Sequence, residues 1–127
     1  MKILLDTHTA LWWVNEHENL SPAAKSAILD EANTLYISVA SLWEIAIKTS
    51  LGKLPGFGGI NIFMAKVQEM PVTVLNIQPQ HVELVEGLPY IHRDPFDRLL
   101  VTTAQAEEMT IVTTDENIQK YDVATIW

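Results

Sequence analysis

Between His92 and Leu100 the chain sets a histidine, two arginines and two aspartates ahead of an apolar run: His92-Arg93-Asp94-Pro95-Phe96-Asp97-Arg98-Leu99-Leu100. Carboxylates in such a stretch can cap a helix, pair with arginine or hold a cation. The first use is legible directly. Asp94 suits an N-cap, because its oxygens can accept the free N–H groups of a first helical turn. Pro95 then falls at N1, where a missing N–H costs nothing. Asp97 falls at N3, near the positive end of the helix dipole. A catalytic or metal-binding use requires that other segments aim carboxylates at the same place. Three candidates exist. Asp6 closes the apolar run Lys2–Leu5. Asp115 follows the β-branched run Thr110–Thr114. Glu44 is a lone acid inside the apolar hexamer Leu42–Ile47. A Glu flanked by packed residues needs a partner, and Lys48, at i+4, is the competing structural explanation.

The elements that must position these acids follow from periodicity and punctuation. Lys2–Asp6 reads as a buried strand and Ala10–Val14 as a helix. Ser21-Pro22 opens a helix to about Ala32, with Ala24, Ala27, Ile28 and Leu29 as its apolar positions. Thr34–Val39 is a second strand. Ala40–Leu51 is a helix stopped by Gly52. Lys53–Gly59 is a connector, and Asn61–Glu69 a short helix with Ile62, Phe63 and Val67 inward. Val72–Leu75 is a third strand. Pro79–Gly87 is a helix carrying His81 on a polar face, as a surface histidine. The Asp94 helix runs to about Glu108, Thr110–Thr114 is a fourth strand, Glu116–Gln119 a brief helical turn and Val123–Trp127 a last strand. Strands alternating with helices imply one α/β domain over residues 1–127, a three-layer α/β/α arrangement with a mostly parallel sheet of four or five strands. Parallel strands bring Asp6 and Asp115 to one sheet edge, where open α/β sheets keep their sites. Asp97 and Glu44, early in helices that follow loops, can converge there too.

Four converging carboxylates repel, and some stay protonated unless a cation joins them. Mg2+, or Mn2+, suits all-oxygen ligands. With no cysteine and no Gly-x-Ser-x-Gly, metal-assisted attack of water on a phosphodiester is the simplest chemistry. The net charge of −8 argues against nucleic-acid binding through a broad basic surface, but not through cations seated on acids. The absence of cysteine fits a reducing compartment. The short apolar start is no signal peptide, and no stretch approaches a membrane span, so a cytoplasmic location is expected. An Asp-x-Asp phosphatase is disfavoured by His8, and a receiver-like module by Thr7, which leaves Asp6 unpaired.

The blocks Leu5-Asp6-Thr7-His8, Ser38-x-x-Ser41-x-Trp43-Glu44-Ile45-Ala46-x-Lys48, Gly52-Lys53-Leu54, His92 to Leu100 and Thr113-Thr114-Asp115 resemble, in order, those of the PIN-domain nucleases. They are most similar to the VapC-type toxins of bacterial type II toxin–antitoxin systems. The resemblance implies a Mg2+-dependent ribonuclease. Asp6, Glu44, Asp97 and Asp115 match its acidic quartet, with Asp6 and Asp97 as metal ligands first. Asp94, occupied with capping, stands outside the quartet. Thr7, Thr113 or Thr114 would hold a water or a phosphate oxygen, or simply cap the backbone. Arg93 and Arg98 would bind phosphates or pair with nearby acids, and pairing is the expectation for Arg98. The resemblance further implies an RNA substrate, a cognate antitoxin and a homodimer, with Trp12, Trp13, Leu42 and Met64 as apolar contacts or plain core. The alternative is a PIN fold used for assembly without nuclease activity.

Overall fold

Asp6 is where the local chain first commits to a direction. The computed structural model describes Met1–Trp127. In it, β1 (Lys2–Leu5) ends directly in α1 (Thr7–Val14), because Asp6 is extended and its Oδ1 accepts the Thr9 N–H at 2.9 Å. The helix thus starts three residues earlier than the sequence pattern indicates, since the polar Thr7-His8-Thr9 forms the capped first turn. Next come α2 (Pro22–Leu29), capped by Ser21 with proline at N1, and β2 (Thr34–Ser38). Ser38 ends β2 and caps α3 (Val39–Ser50) in the same way. Then follow α4 (Ile60–Gln68), β3 (Thr73–Leu75), α5 (Pro79–Gly87), α6 (Pro95–Glu107), β4 (Thr110–Val112), a single 3-10 turn (Ile118–Lys120) and β5 (Thr125–Ile126).

The five strands form one wholly parallel sheet in the order β3-β2-β1-β4-β5. Its two faces are covered, as such strands require. On one face Ile3, Leu5, Ile37 and Val112 pack with α1, α2, Ile45 of α3 and Phe63 and Val67 of α4. On the other, Leu4 and Ile111 pack with Leu100, Val101 and Ala104 of α6, together with Leu88, Ile118 and Tyr121. The alternation of Ile3, Leu4 and Leu5 between the two clusters follows from the two-residue period of a strand. The chain leaves β1 toward β2 and β3 on one side and returns to β4 and β5 on the other. The C-terminal ends of β1 and β4 therefore flank the topological switch point, where a crevice opens.

Three expectations differ. Helix α2 stops at Leu29 rather than near Ala32, because Asp30 leaves the helix and its side chain accepts the Ala32 N–H; Leu29 is consequently exposed, not inward. Ile62 also faces solvent, one position off the Phe63–Val67 stripe. His81 is fully buried rather than superficial. Its Nδ1 accepts the Gln78 N–H at 3.1 Å, and its Nε2 lies 2.8 Å from Glu107 Oε1 of α6. The polar neighbours of His81 in sequence concealed that α6 packs over this face of α5. Trp12, Trp13 and Leu42 are partly buried against the larger core cluster, and Met64 is half-buried.

Candidate active site

At the switch point a cleft of about 150 Å³ is lined by Asp6, Thr7, His8, Glu44, Lys48, Asp94, Asp97 and Asp115, with no hydrophobic residue among them. The whole predicted quartet is here, and Asp94 with it. A larger groove of about 750 Å³ lies elsewhere; its three glutamates, Glu16, Glu18 and Glu69, are set among Lys25, Lys66 and six hydrophobic residues.

Local hydrogen bonds hold each acid, and Asp6, Asp94 and Asp115 double as caps. Asp6 is buried, with one oxygen on the Thr9 N–H and the other accepting the Thr113 hydroxyl. Capping and site geometry are thus two jobs of one carboxylate. Burial raises the Asp6 pKa above its ordinary value, and the hydrogen bonds from Thr113 and Thr9 offset only part of that. Glu44, also buried, accepts the Thr7 hydroxyl at 2.6 Å on Oε1 and the Lys48 ammonium at 2.5 Å on Oε2. Thr7 in turn lies 2.9 Å from Ser41 Oγ. Asp94 caps α6 through Oδ1, accepting from Phe96 and Asp97. Asp115 caps the following turn through Oδ1, accepting from Asn117 and Ile118. Asp97 Oδ2 meets His92 Nε2 at 3.0 Å.

The other oxygens of Asp94, Asp97 and Asp115 accept no hydrogen bond from the protein. That matters for charge. Burial pushes the Asp97 carboxyl up to about 7; the His92 hydrogen bond works against this, while the charges of Asp94, Asp115 and Glu44 add to it. Lys48 is the one ammonium in the cleft. Burial alone would lower its pKa, but the Glu44 hydrogen bond and the charges of Glu44, Asp94 and Asp97 outweigh burial and raise it. The site is therefore over-supplied with negative charge, with oxygens directed at a small polar space. Such a donor set fits a hard divalent cation. His92, Asp97 and Asp115 offer three ligand atoms within 4.8 Å of one another.

Two expected site residues sit differently. Of the two threonines that follow β4, Thr113 is fully buried and meets a carboxylate, whereas Thr114 alternates to the exposed side and does not line the cleft. Arg98 pairs with no acid. One turn into α6, on its inward side, it donates to the carbonyls of Pro89 (2.9 Å) and Leu88 (3.3 Å) and to the Tyr121 hydroxyl (3.1 Å). Its guanidinium also stacks over Tyr90, 4.7 Å from the ring centroid. Sequence reading passed over Lys48 as part of the site and Tyr121 altogether. Lys48 had a signal in its i+4 spacing from Glu44; Tyr121 had none, since only tertiary folding brings it to His92.

A PIN-domain family model matches residues 3–124. The chain belongs to the PIN-domain family. It is 30% identical over 120 residues, 94% of this chain and 91% of the relative, to Ribonuclease VapC22 of Mycobacterium tuberculosis. Among solved structures, VapBC2 of Rickettsia felis, bound to a promoter DNA fragment, superposes with a TM-score of 0.72. That match has 17% identity and covers 98% of this chain and 97% of the other. VapC20 of Mycobacterium tuberculosis, a sarcin–ricin-loop-cleaving toxin, gives 0.62 at 14% identity, covering 92% of each chain. These two likenesses bear on the fold, and the sheet order and layers described above agree with them.

Lys48 offers a direct test of the charge balance. With Lys48→Met, Glu44 loses its counter-charge, so metal-free protein is expected to be less stable by about 1 kcal/mol. Saturating Mg2+ should close the gap. Thermal melts of both proteins with EDTA and with Mg2+ check this; a gap that Mg2+ leaves unaltered would mean that no cation takes over the role of Lys48.

Proposed function

We propose that the protein is a divalent-metal-dependent endoribonuclease, with Mg2+ as the natural ion and Mn2+ as a substitute, acting as the toxin of a toxin–antitoxin pair. The observation that carries this is the cleft itself: carboxylates from the end of β1, from α3, from the start of α6 and from the loop after β4 meet around a space with no apolar wall. The ribonuclease relative supports RNA as substrate, and likeness to toxin–antitoxin complexes supports a protein antitoxin as partner. No helix is long and apolar enough to cross a membrane.

In this reading Asp97 and Asp115, each with an unengaged oxygen, and Asp6 are the principal ligands, while Glu44 joins when Lys48 yields it. A bound divalent cation would supply Lewis-acid activation of water and charge stabilisation of the departing oxygen. The chain's own residues set the geometry for that. Thr113 fixes the rotamer of Asp6, and Thr7, backed by Ser41, fixes that of Glu44. RNA reaches this acidic edge through the cation rather than through a basic surface, which accommodates the net charge of −8.

The test is cleavage of an end-labelled single-stranded RNA pool by wild type and Glu44→Gln, with Mg2+, Mn2+ or EDTA. Cutting that requires the metal and falls sharply in the variant is expected. Absence of cutting with either metal, or equal cutting in EDTA, would overturn the proposal and favour a PIN fold used only for assembly.

A further inference from the structure

His92 stands between Asp97 and a buried tyrosine, and the hydrogen bonds around that tyrosine leave little freedom. A phenolic oxygen has two lone pairs and one hydrogen. In Tyr121 the lone pairs are taken: Arg98 Nη1 donates at 3.1 Å and the His92 backbone N–H at 3.3 Å. Arginine can only donate, so neither bond can run the other way. The hydroxyl hydrogen is left for His92 Nδ1, 2.8 Å away. An imidazole that accepts at Nδ1 carries its hydrogen on Nε2, and Nε2 lies 3.0 Å from Asp97 Oδ2.

We infer that Arg98, Tyr121 and His92 form a one-way donor chain that positions Asp97, engaging its Oδ2 so that Oδ1 is the oxygen offered to a divalent cation. The inference rests on the metal-dependent reading of the cleft. Its members come from three segments: α6, the turn before β5, and the loop before α6. Arg98 and Tyr121 are both under 10% exposed, so water does not compete for their bonds. Arg98 also binds the Leu88 and Pro89 carbonyls, which clamps the loop leading to His92. Bonds aligned in one direction reinforce each other in a dry interior. His92 could alternatively ligate a cation itself, since its ring lies within ligand range of Asp97 and Asp115. It cannot do so while Nε2 keeps its hydrogen, because the ligating nitrogen must present a lone pair. His92 is accordingly a positioning residue, and Arg98 is its remote anchor rather than a phosphate binder.

The experiment uses the 15N-labelled full chain. Imidazole 15N shifts of metal-free wild type should show His92 as one tautomer, protonated at Nε2, and Mg2+ should leave that hydrogen in place. Tyr121→Phe, which keeps the ring in the core, should mix the tautomers. In a Mn2+ titration it should weaken binding by about 10-fold, the lower end for lost outer-sphere bonds to a ligand. His92→Ala should weaken Mn2+ binding at least as much, and His92→Gln should recover most of it, since a glutamine amide N–H reaches where Nε2 stood. Thermal melts confirm that each variant is folded. Tyr121→Phe with an unchanged tautomer and unchanged Mn2+ affinity would overturn the chain. Loss of the Nε2 hydrogen on adding Mg2+ would overturn it as well, by making His92 a ligand. Wild type that binds neither metal would instead bring down the metal reading of the cleft, and this inference with it.

Discussion

Asp97→Asn is expected to cut RNA at least about 100-fold more slowly than wild type, while making the metal-free protein more stable at pH 8. The loss of activity follows from the ligand set. An amide keeps the shape and can still accept from His92 Nε2, but it removes the charge a cation needs, and lost outer-sphere bonds alone already cost 10–100-fold in comparable sites. The gain in stability follows from the raised pKa. In the unfolded chain Asp97 ionises near 3.8, whereas in the fold burial and the neighbouring acids move it to about 7. Between those values the native protein holds a proton that the unfolded chain has released. Stability is therefore full below about 4 and is lost as pH rises through 7. At pH 8 the native state carries the whole penalty of the ionised group, about 2–4 kcal/mol. Asparagine carries none.

The variant should thus melt roughly 7–15 °C above wild type at pH 8 in EDTA, and close to it at pH 4. Saturating Mg2+ should reverse the order at pH 8, because only wild type gains a bound ion. Melts at the two pH values, with and without metal, beside a cleavage time course, check all of this. A variant that melts below wild type at pH 8 in EDTA would show that Asp97 is a structural acid, and one that cuts like wild type would remove it from the site.

His81→Ala is expected to do the opposite, costing about 2–4 kcal/mol of stability while leaving RNA cleavage within a few-fold of wild type under folded conditions. His81 is fully enclosed between α5 and α6 and has no part in the cleft. Truncating it opens a cavity, strands the Gln78 N–H that its Nδ1 accepts, and frees Glu107 on α6. Chemical denaturation at pH 7 gives the loss as a fall in midpoint with little change in slope. A loss below about 1 kcal/mol would mean that the two helices are held together without this histidine. A collapse of cleavage in protein shown to be folded would mean that the α5–α6 contact also sets the position of Asp97.

These two residues mark where the chain is legible and where it is not. Asp97 could be read from the sequence because its environment is local: the Asp94 cap and Pro95 at N1 dictate where α6 begins, and the cap is found as read. The same holds for Asp6 and Asp115, which follow apolar strands, and for the parallel sheet implied by alternating elements. Local rules of capping, strand period and turn residues depend on neighbours a few positions away, and the sequence displays those neighbours. His81, Thr113, Arg98 and Tyr121 could not be placed so. A histidine among polar neighbours looks like surface until α6 packs across it. Thr113 and Thr114 are equivalent until the β4 pleat buries one and exposes the other. Arg98 beside Asp94 and Asp97 looks like an ion-pair partner until the helix turns it inward, away from both, toward carbonyls at 88 and 89 and a hydroxyl at 121. The sequence by itself determined the element types and the sheet edge that gathers Asp6, Glu44, Asp97 and Asp115, though not that Asp94 lines the same cleft. Only the tertiary structure decided which oxygens are engaged and which are free, because hydrogen-bond geometry between segments as far apart as Asp6 and Thr113 is set by packing of the two sheet faces, and no pattern within either segment encodes it.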